Sequence, residues 1–214
     1  MAQDLGVPKA QVAQHACALQ FPEFVRLMFK DVASDIFERT LIFGLLPKNC
    51  GGGNTMHISI PKTDVRSAPG GVTTQAASPL RLLFALAWFN SLPVDWLARF
   101  MIQIHISKTY LYRLPMPQPT DDEILDSPDF AQLAKNALLL SLAASWDDFA
   151  ELAPLFGVQP KDVPKTAKAQ DTLRAQNDKL VARLYGITGV ELAHLLRSFK
   201  VMAGKRPEYL TLLT

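Results

Sequence analysis

Cysteine and long apolar segments are both scarce in this 214-residue chain. Cys17 and Cys50 are the only cysteines, and neither stands in a CxxC or Cys/His spacing, so we expect two reduced thiols and no disulfide framework or zinc site. The longest apolar runs, such as residues 82–89, are far shorter than the about 20 residues that a membrane helix needs. Residues 1–10 lack the apolar stretch of a signal peptide. These absences predict a cytoplasmic protein without a membrane partner.

Sequence signatures of several enzyme classes are also missing. The glycines at 51–53 are followed by no Gly-Lys-Ser/Thr and lead into a predicted strand, so they do not predict a nucleotide-binding loop. The four histidines are isolated from one another and form no metal-ligand spacing. A triad of Ser107, His105 and Asp95 can be drawn, but no Gly-x-Ser-x-Gly elbow supports it. The residues therefore predict no catalytic group and no metal in this chain.

The net charge of +2 is unevenly distributed. Residues 48–113 contain seven Lys or Arg against two Asp, a net +5, whereas residues 121–214 contain eleven basic against thirteen acidic residues, a net −2. A polyanion would therefore meet the middle of the chain. An ordinary mixed surface is an equally good interpretation of so modest an excess.

The first half of the chain predicts short strands followed by two helices. Residues 21–35 fit a strand or a short helix, and the apolar segment that Pro47 ends predicts a buried strand over residues 40–46. We expect a loop at 48–55, a strand at 56–60 and a Pro/Gly/Ser/Thr-rich connection at 61–79. Ser78-Pro79 begins a helix that runs to about Asn90, and a second helix follows to Met101. The alternating Ile-His-Ile-Ser after it predicts another strand.

The second half is predicted to be helical throughout. Thr120 is an N-cap followed by three acids, and helices are expected at 129–144 and 147–155 and from Pro164 to Tyr185. Gly186 fits the C′ position of the last of these, and Thr188 with Glu191 forms a capping box that starts a final helix to about residue 199. The predicted fold class is α+β: a lobe at 1–119 with a small mixed or antiparallel sheet and flanking helices, and a helical bracing lobe at 120–214.

Aromatic side chains are concentrated between the two predicted lobes. Trp88, Phe89, Trp96 and Phe100 occur at helical spacing, which predicts core residues in preference to a base-stacking surface. Tyr110 and Tyr112 lie two residues apart on a segment that we expect to be extended.

Three passages carry a resemblance to a known family. The first is Arg26-Leu-Met-Phe-Lys-Asp-Val-Ala33 followed by Glu38-Arg-Thr-Leu-Ile-Phe-Gly-Leu-Leu-Pro47. The second is Phe89-Asn-Ser-Leu-Pro-Val-Asp-Trp-Leu-Ala-Arg99 with Ile106-Ser-Lys-Thr-Tyr-Leu-Tyr-Arg-Leu-Pro-Met-Pro117, and the third is the helical tail from Leu180 to Phe199. In this order they resemble the C-terminal target-recognition region of type IIG restriction-modification enzymes and of related N6-adenine DNA methyltransferases. A weaker likeness extends to type I specificity subunits.

The catalytic motifs of that family are not in this sequence. It has neither the Asn/Asp-Pro-Pro-Tyr/Phe motif of the methyltransferase nor the Pro-Asp with a following Asp/Glu-x-Lys of the nuclease. The resemblance thus implies a specificity module whose methyltransferase and nuclease domains are encoded elsewhere. S-adenosylmethionine and Mg²⁺ are expected only for those domains, and no cofactor is expected for this chain.

The function that the resemblance implies is sequence-specific recognition of duplex DNA, in a restriction-modification or phage-defence system. Such recognition needs Lys or Arg on phosphates and polar side chains on base edges. Loops and strands around the two helices supply the candidates, which are Lys48, Asn49, Asn54, His57, Lys62, Arg66, Gln103, His105, Ser107 and Lys108. The alternatives are a helical protein-protein interaction subunit without DNA contact, which would expose an apolar stripe after residue 120, and a freestanding enzyme.

Overall fold

A small antiparallel sheet opens the part of the chain that the computed structural model describes, which is residues 24–33, 37–60, 62–67, 71–101 and 104–214, with backbone alone at 62–67 and 71–75. Its strands are β1 (Arg26–Lys30), β2 (Phe43–Leu46) and β3 (Met56–Ile58), in the order β2-β1-β3. Phe29 pairs with Phe43 on one side and with His57 on the other, and the three rings stack. The sheet buries this face because Leu27, Phe29, Phe43 and Leu45 alternate with more exposed residues.

The predicted connection at 61–79 is wrong, because it contains a hairpin. Strands β4 (Lys62–Ser67) and β5 (Gly71–Ala76) pair antiparallel, with Val65 opposite Thr73. Thr63, Val65 and the run Val72-Thr73-Thr74 are β-branched, which favours extended backbone even where polar neighbours hide the apolar alternation.

The strand predicted from Ile-His-Ile-Ser is also wrong. Of the described residues 104–107, His105 alone makes a bridge, to Val32, and the chain turns at once into a short helix, α3 (Lys108–Leu111), which includes Tyr110. The alternation did not mark two faces of a strand, since Ile106 is fully buried whereas Ile104 is 62% exposed. Tyr110 and Tyr112 consequently do not lie on extended backbone.

Ten α-helices occur in the described residues. They are α1 (Pro79–Phe89), α2 (Leu92–Arg99), α3 (Lys108–Leu111), α4 (Asp121–Asp126), α5 (Pro128–Ala144), α6 (Trp146–Phe149), α7 (Ala167–Leu184), α8 (Gly189–Leu196), α9 (Lys200–Lys205) and α10 (Pro207–Thr211). Two 3₁₀ segments, Ala150–Phe156 and Pro160–Asp162, connect α6 to α7. Among the described residues, every helix is too short or too polar to cross a bilayer.

Helix ends follow the local capping signals. The Ser78 hydroxyl accepts from the Arg81 amide before α1, and capping boxes begin α4 at Thr120 and α8 at Thr188. Gly186, at φ +73°, follows α7 in the left-handed region that glycine tolerates, so the C′ prediction is confirmed. Because each signal lies within a few residues of the helix end, the sequence alone was sufficient to predict it.

The main core contains residues from both sides of residue 120. Leu27 and Phe43 of the sheet, Phe84 of α1, Leu138 of α5 and Val181 of α7 belong to one buried cluster. A second cluster joins α2 to the C-terminal helices through Leu92, Leu195, Phe199 and Tyr209. The α+β class with a small antiparallel sheet is confirmed, while the division into lobes at 1–119 and 120–214 stays a prediction.

Most of the aromatic residues predicted for the core are inside. Trp88 is 1% exposed, and Phe89 and Trp96 pack against the buried clusters. Phe100 is 72% exposed, so that prediction is wrong. It is the C-cap of α2, where the helix ends and its face no longer points into the core.

Candidate nucleic-acid interface

Asp31, directly after β1, joins two distant segments of the chain. Its backbone N–H donates to the Thr55 carbonyl at 2.9 Å, and its own carbonyl accepts from the Ile106 amide at 2.8 Å. A third bond, from the Ala33 amide to the Ile104 carbonyl at 2.8 Å, continues the second connection. The segments 54–57 and 104–108 therefore meet at Asp31. We call Asp31 with these two segments the junction.

The Asp31 carboxylate lies between two histidines of the junction. Its Oδ1 is 3.1 Å from His57 Nε2, and its Oδ2 is 3.0 Å from His105 Nδ1. His57 also stacks on Phe29 with ring centroids 4.8 Å apart, which fixes the plane of its ring. The side chain of His105 is 66% exposed and that of His57 is 38% exposed, so both rings can meet a ligand from solvent.

Hydrogen bonds from the two imidazoles hold the pKa of the Asp31 carboxyl below its ordinary value. The bond from His105 has the largest effect, followed by the bond from His57, and burial opposes them. Asp31 is therefore ionised at neutral pH and acts only as an acceptor.

A prediction follows for the acid side of the pH range. Asp31 binds protons less readily in the folded than in the unfolded chain, so its contribution to stability is present above the unfolded-state pKa and is lost as pH falls through the folded-state pKa. Carboxyl-detected NMR titration should give Asp31 a pKa below 3.8. His105→Ala should raise that pKa towards 3.8, and a pKa unchanged by this substitution would contradict the geometry.

Five of the ten residues predicted for DNA contact lie at the junction. Asn54, Ser107 and Lys108 are exposed there beside His57 and His105. Ser107 is the N-cap residue of α3, so the chain leaves the junction at that point as a helix. The charged and titratable side chains of the junction are Lys108, the two histidines and the Asp31 carboxylate between them.

Lys48 and Asn49 lie at the opposite end of β1. Leu46, at the end of β2, pairs with Arg26, whereas the junction follows Lys30 at the other end of the strand. Lys48 forms an exposed ion pair with Glu151, and Asn49 takes a left-handed conformation at φ 58°. The structure thus separates these two residues from the other five.

Loop 48–55 leads from the end of β2, beside Arg26, to the start of β3, beside Lys30 at the other end of β1. The Arg26 guanidinium donates to the Cys50 carbonyl near its start, and a Cβ at Gly52 would come within 2.9 Å of the Ile58 side chain. The loop therefore passes close over β3, and a side chain at 52 would require the end of the Ile58 side chain to move.

The remaining predicted residues cannot be placed as side chains. Lys62 and Arg66 are in β4, where the backbone alone is described, and Gln103 lies outside the described residues. Their predicted DNA contacts stay predictions.

Polar residues of the passages that carry the resemblance are mainly buried supports. Asp95 is 1% exposed and accepts from the Thr40 and Leu41 amides at 2.7 and 2.5 Å. Its other oxygen accepts from Arg99 Nε at 3.1 Å. Burial raises the pKa of the Asp95 carboxyl, while the Leu41 amide and the two nearby arginines lower it. This carboxylate therefore belongs to a set of buried polar contacts that support β2, which we call the frame. The triad with Ser107 and His105 is not formed, since His105 binds Asp31 instead.

Asn90 and Arg39 complete this frame. The Asn90 amide donates to the Phe43 carbonyl at 3.0 Å and accepts from the Phe43 N–H at 2.9 Å, so it pairs with the outer edge of β2 as a strand would. Arg39 donates to the Asn90 carbonyl at 2.5 Å, to Asp178 at 3.4 Å and to the Tyr209 hydroxyl at 3.1 Å. Both residues belong to passages that carry the family resemblance, but only the fold shows that their side chains face inward.

A groove of about 1050 Å³ runs from the outer face of β2 to the helices α5 and α7. Most of its cations face acids: Arg206 is 2.5 Å and Arg174 is 2.8 Å from Asp171, and Lys205 is 3.9 Å from Glu38. Lys30 instead lies over the Phe37 ring, 4.6 Å from its centroid. Of the predicted interface residues with described side chains, none lines this groove. The groove therefore offers little unpaired positive charge, and we place the candidate interface at the junction.

Metal binding has no support in the described ranges, where no group of three or more His, Cys, Asp and Glu side chains is arranged to hold an ion. His57 and His105 bind different oxygens of Asp31 and so form hydrogen bonds, not a shared ligand set.

Comparison with known proteins gives one structural likeness. No protein-family model matches the chain, and no curated protein matches it. The chain is similar in structure to the type IIL restriction-modification enzyme MmeI in complex with DNA, with 18% identity and a TM-score of 0.45 over 94% of this chain. The chain spans 25% of the length of that protein. These values show no family for the chain.

Proposed function

We propose that the chain is a recognition module for duplex DNA that acts with a methyltransferase or nuclease domain encoded elsewhere. The observation that carries the proposal is the junction, where two segments far apart in sequence place exposed polar side chains around one carboxylate. The resemblance of residues 25–200 to target-recognition regions supports the same function.

The junction has the two kinds of groups that such recognition needs. Lys108 is an exposed cation suited to a phosphate, which supplies affinity independent of sequence. Asn54, His57 and His105 combine donors and acceptors, which suits the edges of bases in the major groove. The backbone bonds of Asp31 to Thr55 and Ile106 join the two segments, so that a few exposed side chains are presented on one surface.

The test is fluorescence anisotropy with a random duplex pool over a range of salt concentrations. We expect binding at low salt that weakens steeply as salt rises, because phosphate contacts release counterions. Lys108→Ala should weaken binding to every duplex and reduce the slope of log K against log salt by about 1. Lys179→Ala, at an exposed position of α7, is the matched control and should change neither. Absence of binding at low salt, or a flat salt dependence, would contradict the proposal.

The rival function, a helical interaction subunit, has less support. It predicts an apolar stripe after residue 120, in a region that the structure describes completely. The exposed large apolar residues there are Leu125, Leu184 and Val190, each on a different helix. Single exposed apolar residues are ordinary on protein surfaces and do not indicate a docking face.

A further inference from the structure

The Asp31 carboxylate determines which nitrogen of each histidine carries hydrogen. An ionised carboxylate has only acceptor sites, so each ring nitrogen that faces it must be an N–H. Those nitrogens are Nε2 of His57 and Nδ1 of His105. In a neutral imidazole only one nitrogen is protonated, and the other is then an acceptor. Neutral His57 is therefore left with an acceptor at Nδ1, and neutral His105 with an acceptor at Nε2.

His105 is the more suitable of the two for contact with a ligand. Its ring is turned with Nδ1 towards Asp31, so that Nε2 lies on the far side, and two thirds of the side chain is exposed. The His57 ring is instead stacked on Phe29 and more covered. Held in one orientation by the carboxylate, His105 loses less rotamer freedom when it makes a further hydrogen bond.

We propose that Asp31 is a positioning residue of the DNA interface, which makes His105 Nε2 an acceptor for an exocyclic amino group on a base edge. In the major groove such donors are N6 of adenine and N4 of cytosine. Guanine O6 and N7 and the phosphate oxygens are acceptors and would not bind this nitrogen of the neutral ring. The inference rests on the proposed function, because it assigns a partner to one residue of that same surface.

Asp31→Asn is the informative substitution. The side chain keeps its shape, and the backbone bonds of residue 31 to Thr55 and Ile106 do not involve the group that changes. One carboxylate oxygen becomes an NH₂ donor, so one imidazole must present a lone pair towards residue 31 and take the other tautomer. Asp122→Asn, at an exposed position of α4, is the matched control.

The first measurement needs no DNA. Long-range ¹H–¹⁵N NMR spectra of the imidazoles are recorded at a pH where the ¹⁵N shifts show neutral rings. We expect the Nε2–H tautomer for His57, the Nδ1–H tautomer for His105, and a changed tautomer for one of them in Asp31→Asn alone. A His105 that is mainly Nε2–H in the wild-type protein would overturn the inference whatever the DNA result.

The second measurement is selection of bound sequences from the random duplex pool at the same pH. We expect His105→Ala to lose the preference for adenine or cytosine at one position by about tenfold, the effect of one hydrogen bond to a base. Asp31→Asn should lose it at the same position when the NMR spectra show that His105 is the ring whose tautomer changes. Preferences at the other positions should remain, which a general loss of structure would not allow. A wild-type protein that binds DNA while both variants keep every preference would overturn the inference and leave the proposed function standing. A wild-type protein that binds no duplex would overturn both.

Discussion

Asp178→Ala is expected to lower the free energy of unfolding by about 3–5 kcal/mol, the usual cost of removing one partner from a buried ion pair. Asp178 is 1% exposed and accepts from the Leu92 amide at 2.8 Å, from Arg39 at 3.4 Å and from the Tyr209 hydroxyl. Burial raises the pKa of the Asp178 carboxyl, while the positive charge of Arg39 lowers it. Without the carboxylate, Arg39 loses its countercharge and the first amide of α2 loses its acceptor.

Urea unfolding at neutral pH measures this loss. Asp122→Ala removes an exposed acid from the first turn of α4 and should lower the free energy of unfolding by no more than about 1 kcal/mol. Arg39→Met with Asp178→Leu is a second comparison. It removes both charges but still takes the acceptor from the Leu92 amide and the Tyr209 hydroxyl, so it should recover only part of the loss. A loss below about 1 kcal/mol in Asp178→Ala would show that this contact does not hold the C-terminal helices to α2.

Asp95→Ala is expected to cost about 3 kcal/mol or more, because it removes a buried carboxylate that accepts hydrogen bonds from two buried amides. These are the amides of Thr40 and Leu41, which lead into β2. Arg99 loses its bond to the same carboxylate. The expected consequence is a lower unfolding midpoint together with faster amide hydrogen exchange at the start of β2.

Asp95→Asn separates the loss of charge from the loss of the acceptor. The amide oxygen can still accept from both backbone N–H groups, so this variant should be clearly more stable than the alanine variant. Hydrogen exchange at residues 40 and 41 should then stay close to that of the wild-type protein. Equal losses in the two variants would indicate that the charge of Asp95, paired with Arg99, matters more than the two backbone bonds.

Asp95, and Arg39, which is the partner of Asp178, belong to passages that carry the family resemblance. The Glu38-Arg-Thr-Leu and Asn90-Ser-Leu-Pro-Val-Asp95 passages carry that resemblance, although none of their polar side chains was among the predicted DNA contacts. In the structure Asn90 and Asp95 instead bond to backbone groups of β2 and of the residues before it. A polar residue that satisfies buried backbone groups is as restricted as one that contacts a ligand, and the sequence does not distinguish the two cases.

The sequence by itself determined most of the longer helices, because their signals are local. Ser78, Thr120 and Thr188 begin helices, and Gly186 ends one, through bonds to residues three or four positions away or through a local φ. It also determined the α+β class, since the apolar β-branched segments precede the long amphipathic helices.

Only the tertiary structure decided which polar residues face the solvent and which meet one another. Asp31 had no local signal, because its partners His57 and His105 lie 26 and 74 residues away. The apparent strand at 104–107 is a single bridge, since its pattern reflected the burial of Ile106 alone. Pairing between distant segments depends on how the whole chain buries its apolar faces, and that balance is not encoded in any short stretch of residues.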